Sequence, residues 1–93
     1  ILAEEGFVSV YAVVETTTGT ILAGPRIQAR GVAEDDSVFE EILPDVTEAL
    51  SAALETGKAD AYSLQQVMRR TLGRWIGRRL RRRPMIVPVV IEA

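Results

Sequence analysis

The sequence predicts an α+β fold, in which a three-stranded mixed sheet of strand order 2-1-3 carries two helices on one face, with topology β-β-α-α-β. Two β-branched runs precede two stretches with helical spacing, and a third β-branched run follows them. The first run is apolar at nearly every position, as in a central strand. The third contains Pro88, which suits an edge strand. The 93 residues provide for one domain.

The first two strands form a predicted hairpin. Residues 7–14 are the first strand, and the turn at 16–19 ends in Gly19, which can adopt a positive φ. The second strand returns through residues 21–30. The Gly24-Pro25 pair interrupts it, because proline cannot donate to a ladder, so we expect a bulge or an edge there.

The first helix is predicted to begin at Ser37, since Ser37 and Glu40 have the spacing of a capping box. Gly57 is placed to end it. Pro44 conflicts with a helix interior, so we expect either a kink or a late start. Apolar residues recur at spacings of three and four, at Phe39, Ile42, Leu43, Val46, Ala49, Leu50, Ala53 and Leu54.

The second helix is predicted to begin at a further capping box, Ser63 to Gln66, and to run to Arg83, where Pro84 stops it. Its apolar stripe is formed by Leu64, Val67, Met68, Leu72, Trp75, Ile76 and Leu80. Trp75 is therefore interpreted as a core residue rather than a platform for base stacking. Residues 85–91 are the third strand.

Both faces of the first and third strands are apolar, but two helices can cover only one. We therefore predict that the uncovered face is buried against another chain or domain, most simply as a homo-oligomer interface. The candidate interface residues are Phe7, Tyr11, Val13, Met85, Val87, Val89 and Ile91.

The sequence has no histidine and no cysteine, which excludes serine and cysteine triads and histidine or thiolate metal sites. We predict no catalytic residue, no metal ligand and no cofactor in this domain. Residues 34–36, with Glu40 and Glu41, are acidic and could in principle bind magnesium or serve a small carboxylate enzyme. Helix capping and the helix dipole explain them more simply.

The charges are strongly segregated. Residues 1–68 carry three basic and twelve acidic side chains, whereas residues 69–93 carry eight arginines and one acid. Arg70, Arg74 and Arg78 repeat at four and Arg81 follows, so they could contact the phosphates of RNA. We favour the simpler interpretation, in which they form a solvated or ion-paired helix face.

No apolar run has the ~18 to 20 residues that a bilayer crossing needs, so we expect no membrane contact, and a cytoplasmic location is the default. The chain begins at Ile1 rather than methionine. We expect residues 1–93 to be a fragment of something longer.

Four segments together resemble the C-terminal domain of ribonuclease J, a β-CASP member of the metallo-β-lactamase-fold ribonucleases. They are EEGFVSV at 4–10, TGTILAGP at 18–25, RGV at 30–32 and RRPMIVPVVIE at 82–92. The last segment is the most specific, and the helices match in pattern only.

The resemblance implies a parent enzyme that processes and degrades RNA as a 5′ exonuclease and endonuclease, with two zinc ions held by an upstream domain. No position here matches that zinc motif. The resemblance also implies a three-stranded sheet with two helices that supports oligomer assembly and full activity of the parent. Residues 1–93 are thus expected to be a non-catalytic C-terminal accessory domain, with the upstream catalytic domain as a further partner. An RNA-binding appendage is the alternative.

Overall fold

The computed structural model describes residues 6–93. Glu4 and Glu5, which belong to the first resembling segment, lie outside the described residues. The elements are β1 (Phe7–Glu15), β2 (Thr20–Arg30), a 3-10 helix (Asp36–Glu41), α1 (Leu43–Glu55), α2 (Ala61–Arg79) and β3 (Met85–Glu92). The sheet order is β2-β1-β3, with β1 antiparallel to β2 and parallel to β3. The predicted fold class is confirmed.

The central strand supplies the floor of the core. Val8, Val10, Ala12 and Val14 alternate along β1 and are fully buried beneath the helices. Alternation places the other β1 side chains on the opposite face of the sheet, which we call the outer face. Each buried valine contributes roughly 1.5 to 3 kcal/mol through removal from water.

The hairpin and the irregularity in β2 are as predicted. Gly19 has φ 71° and its N–H donates to the Glu15 oxygen at 3.0 Å. The β1–β2 register shifts on either side of Val13, next to the Gly24-Pro25 bond, which is cis. A Cβ at Gly24 would lie 2.7 Å from the Tyr11 carbonyl oxygen, so the strands approach there closely enough to require glycine.

The predicted start of the first helix at Ser37 is wrong. Asp35 accepts a hydrogen bond from the Ser37 N–H at 2.9 Å and caps a 3-10 turn, after which α1 begins at Leu43. Pro44 lies in the first turn of α1, where its missing N–H removes no helical bond, so the late start is the alternative that occurs. Gly57, with φ 72°, follows the helix end as predicted.

The predicted limits of the second helix are also wrong at both ends. Asp60 caps α2, accepting from the Ser63 N–H at 2.8 Å while Ser63 Oγ accepts from the Asp60 N–H at 3.0 Å. Ser63 is thus the third helical residue rather than the cap. The helix ends at Arg79, and Arg81 has φ 58°, so the chain leaves helical geometry before Pro84.

Both helices cover the inner face of the sheet, with β3 contacting α2 and β2 contacting α1. Their buried residues, at helical spacing, are Val46, Leu50, Leu54, Leu64, Met68, Leu72 and Ile76. Trp75 is half-buried and its ring lies 5.5 Å from that of Phe39 in a tilted pair. This confirms its predicted place in the core.

Two glycines of α2 provide a matched test of helix packing. A Cβ at Gly77 meets nothing within 4 Å, whereas one at Gly73 would lie 3.3 Å from Ile86 Cδ1. We expect Gly77→Ala to raise the free energy of unfolding by roughly 0.5 to 1 kcal/mol through helix propensity. Gly73→Ala should gain less, because Ile86 must move. Urea titration of both variants would contradict this if the gains were equal.

The cap of α2 predicts a pH dependence. The Ser63 backbone N–H lowers the pKa of Asp60 below its ordinary value, because it favours the carboxylate. The stabilisation is therefore present above the unfolded-state pKa and is lost as pH falls through the lower folded-state pKa. We expect Asp60→Ala to lower the Tm at pH 7, and the difference from the parent to shrink below about pH 4.

Asp60→Asn is the control for that measurement, since asparagine caps helices well but does not titrate. Its Tm at pH 7 should stay close to that of the parent. A constant difference between Asp60→Ala and the parent from pH 7 to pH 2 would contradict the assignment.

Candidate functional site

The outer face of the sheet carries a continuous apolar stripe along β1 and β3. Residues paired across the two strands lie on the same face, and the register joins Phe7 to Met85, Tyr11 to Val89 and Val13 to Ile91. Ser9 pairs with Val87 and is the polar member of the stripe. All seven predicted interface residues thus lie together on one surface.

These side chains are unusually open for their size. Phe7, Met85, Val87, Val89 and Ile91 are 40% to 52% exposed, while Tyr11 and Val13 are half-buried. Tyr11 and Val13 are more covered because β1 has a neighbouring strand on each side. A patch of contiguous exposed apolar side chains on a sheet is typical of an interaction surface.

The β2 side of the outer face is polar. Arg30, Gln28 and Arg26 pair with Phe7, Ser9 and Tyr11, and all three are exposed. At the opposite end of β1, Glu15 is on the same face and accepts a hydrogen bond from Thr18 Oγ1 at 3.1 Å. An apolar centre with an arginine-containing polar border is the usual anatomy of a protein interface.

The predicted RNA-contacting arginines fall in two places. Arg70, Arg74 and Arg78 are exposed on α2, as their spacing predicted. Arg81 is also exposed but lies beyond the helix, which ends at Arg79 rather than at the predicted Arg83. The positive φ of Arg81 turns the chain away from the helix axis.

Acidic side chains border these arginines. Arg74 shares a surface groove between α1 and α2 with Asp45 and Glu48. Arg79 Nε and Nη2 donate to the two carboxylate oxygens of Glu41 at 3.1 and 3.2 Å, a bidentate pair with both side chains about half exposed. Acidic side chains of the 3-10 helix and of α1 therefore lie beside two arginines of α2.

Among the acidic residues before α1, Asp35 caps the 3-10 helix. The Ser37 backbone N–H lowers the pKa of Asp35, as expected for a carboxylate that accepts from a helix terminus. Within residues 6–93, no three acidic side chains come together as a metal-binding group. The contact that Asp35 makes stabilises a helix terminus.

One residue that the sequence did not single out contacts the sheet. Gln65 Oε1 accepts a hydrogen bond from the Val90 backbone N–H at 3.1 Å in a partly buried position. Gln65 follows a buried leucine on α2, and a glutamine beside an apolar stripe carries no sequence signal for such a contact. Leu22 and Tyr62 are two further exposed apolar residues that were not predicted.

None of the helices within residues 6–93 combines the length and the apolar character that a bilayer crossing requires.

Comparisons with known proteins identify the family of the chain. The profile of the Ribonuclease J C-terminal domain family matches residues 1–93. Ribonuclease J of Mycobacterium tuberculosis is 39% identical over 92 residues, which is 99% of this chain and 16% of that protein. Ribonuclease J of Mycolicibacterium smegmatis is 37% identical over 92 residues, with the same shares.

A more distant relative is Ribonuclease J 2 of Staphylococcus aureus, which is 32% identical over 95 residues, covering 99% of this chain and 17% of that protein. The chain thus spans about a sixth of the length of the relatives that it matches.

Proposed function

Because this chain belongs to the Ribonuclease J C-terminal domain family, we propose that it is a non-catalytic accessory domain that supports oligomer assembly and full activity of a parent ribonuclease. The observation that carries the proposal is the exposed apolar stripe on the outer face. Burial of this stripe against a partner removes apolar surface from water, which drives association.

The occupant that we propose for the outer face is a second copy of this chain. A two-fold axis across the strands superposes the apolar stripe of one copy on that of the other, so the contact is self-complementary. The same rotation brings Glu15 of one copy to the end of the face that carries Arg30 in the other. Opposite charges then meet at both ends of an apolar centre.

Catalysis is assigned to the upstream part of the parent. This chain lacks histidine and cysteine, and residues 6–93 hold no metal-binding acidic group, so its residues do not fit a zinc site. We propose that the parent is a zinc-dependent 5′ exoribonuclease and endoribonuclease whose metal ligands lie upstream. The upstream catalytic domain is the second partner of this one.

RNA binding by α2 is the alternative function. The exposure of Arg70 and Arg78 favours it, because both side chains can reach a phosphate. The acids beside Arg74 and the pairing of Arg79 with Glu41 oppose it, because they lower the positive potential of the helix. We therefore rank it second.

Val89→Glu tests the assembly role. We expect the unmutated chain of residues 1–93 to sediment as a concentration-dependent dimer. Val89→Glu should weaken dimerisation at least tenfold, because it places a carboxylate in the apolar centre. Analytical ultracentrifugation measures this, and circular dichroism checks the fold. An unmutated chain that stays monomeric at high micromolar concentration would refute self-association through this face.

The matched control for that test is Tyr62→Glu. Tyr62 is 68% exposed on α2, away from the outer face. Tyr62→Glu adds the same charge at an exposed large side chain, so we expect the dimer of this variant to persist. Equal losses in the two variants would point to net charge rather than to the outer face.

Titration of a labelled single-stranded RNA tests the alternative. We expect little binding near physiological salt, because α1 acids flank the arginines. Micromolar binding that weakens steeply with salt and falls when Arg70, Arg74 and Arg78 become glutamine would establish the RNA-binding role instead. Arg26→Gln with Arg30→Gln, on the outer face, is the control.

A further inference from the structure

The β3 edge of the sheet is poor in free hydrogen-bond donors. Along β3 the backbone N–H groups alternate in direction. Those of Met85 and Ala93 donate to the Gly6 and Val14 oxygens at 3.1 and 2.8 Å, so the odd-numbered residues face β1. The N–H positions of the four even-numbered residues therefore face away from the sheet: Ile86, Pro88, Val90 and Glu92.

Two of those four positions offer no donor to an incoming strand. Pro88 has no N–H, and its place at the edge explains why a proline is tolerated in this strand. The Val90 N–H is already taken by Gln65 Oε1 at 3.1 Å. The middle of the edge is closed as a result.

Helix α2 continues over the inner side of β3 beyond Gln65. Gly73, two turns further on, lies close enough to Ile86 that an added Cβ would be 3.3 Å from Ile86 Cδ1. The helix therefore runs antiparallel to β3 and contacts it from Val90 back to Ile86. An added strand would have to pass beside this helix.

The β2 edge is open, but one antiparallel self-pairing there brings like charges together. The backbone N–H and C=O groups of the odd-numbered residues of β1 face β2 and bond to those of Arg26, Gln28 and Arg30. The backbone groups of Ile27 and Ala29 therefore face away from β1, toward the open edge. An antiparallel second copy centred on Gln28 would place Arg26 opposite Arg30 of the other copy. Like charges directly opposite one another destabilise such a pair.

We infer that Gln65, with Pro88, closes the β3 edge against strand addition, so that a second copy of this chain is kept from pairing there and contacts the sheet through its outer face. The inference rests on the proposed self-association. The physical reason is that face-to-face packing about a two-fold axis ends at a dimer, whereas strand addition at an edge can continue to larger assemblies. Gln65 is in this sense a specificity residue for assembly.

The test removes the closure without touching the outer face. Gln65→Leu takes away the acceptor, and Pro88→Val restores an N–H to the edge. In sedimentation velocity, we expect the double variant to form larger species than the unmutated chain of residues 1–93. Gln66→Leu with Pro88→Val is the matched control, since it makes the same change one residue along α2, and it should keep the parent's size distribution.

Adding Val89→Glu to the double variant separates this inference from the proposed function. Larger species that persist with Val89→Glu form through the edge and support the inference. Larger species that vanish with Val89→Glu form through the outer face and overturn it. A folded double variant with the size distribution of the unmutated chain also overturns the inference, whether or not the unmutated chain dimerises.

Amide hydrogen exchange gives a readout that does not depend on how the double variant folds. In the parent, the Val90 amide should exchange at least tenfold more slowly than the Glu92 amide, which also faces away from β1. In Gln65→Leu that protection should be lost at Val90 and kept at Val10. Equal exchange at Val90 and Glu92 in the parent would overturn the assigned closure.

Discussion

Burial of the inner face of β1 is the contact on which the other elements depend. Val8, Val10, Ala12 and Val14 have no exposed surface, and both helices and both neighbouring strands are arranged around them. Because a strand alternates sides, the same segment that supplies the core floor also supplies Phe7, Tyr11 and Val13 to the opposite face. With two helices available, that opposite face stays uncovered, and the apolar character of β1 and β3 becomes a surface property.

The charge distribution follows from the same layered arrangement. The arginines of α2 cannot point into the sheet, since Leu64, Met68, Leu72 and Ile76 occupy that side of the helix. They lie instead toward solvent and toward α1, whose Asp45 and Glu48 border the groove that contains Arg74. The acidic and basic halves of the chain therefore meet at Arg74 and at the pair of Arg79 with Glu41.

Sequence reasoning recovered the strand order, the edge position of Pro88 and the outer-face residues, because each depends on a period-two pattern or on a donor that proline lacks. It misplaced the helix starts. For α2 the cap is Asp60, which lies before the predicted serine, and for α1 a 3-10 turn capped by Asp35 occupies the predicted first turns, so that the helix begins only at Leu43, beside Pro44. It missed the Gln65 to Val90 hydrogen bond because such a contact depends on how α2 lies over β3, and helical spacing alone does not determine that.

The parallel pairing of β1 with β3 has a consequence for synthesis. Phe7 pairs with Met85, so one side of β1 lacks its strand partner until 78 further residues have been made. At ~5–20 residues per second this interval is about 4 to 16 s on the ribosome. Through that time the most apolar strand of the chain presents an open edge, the kind of segment that chaperones bind and that aggregates between nascent chains. A chain that stops before β3 would leave that edge permanently unpaired, so such truncated products are expected targets for proteolytic clearance.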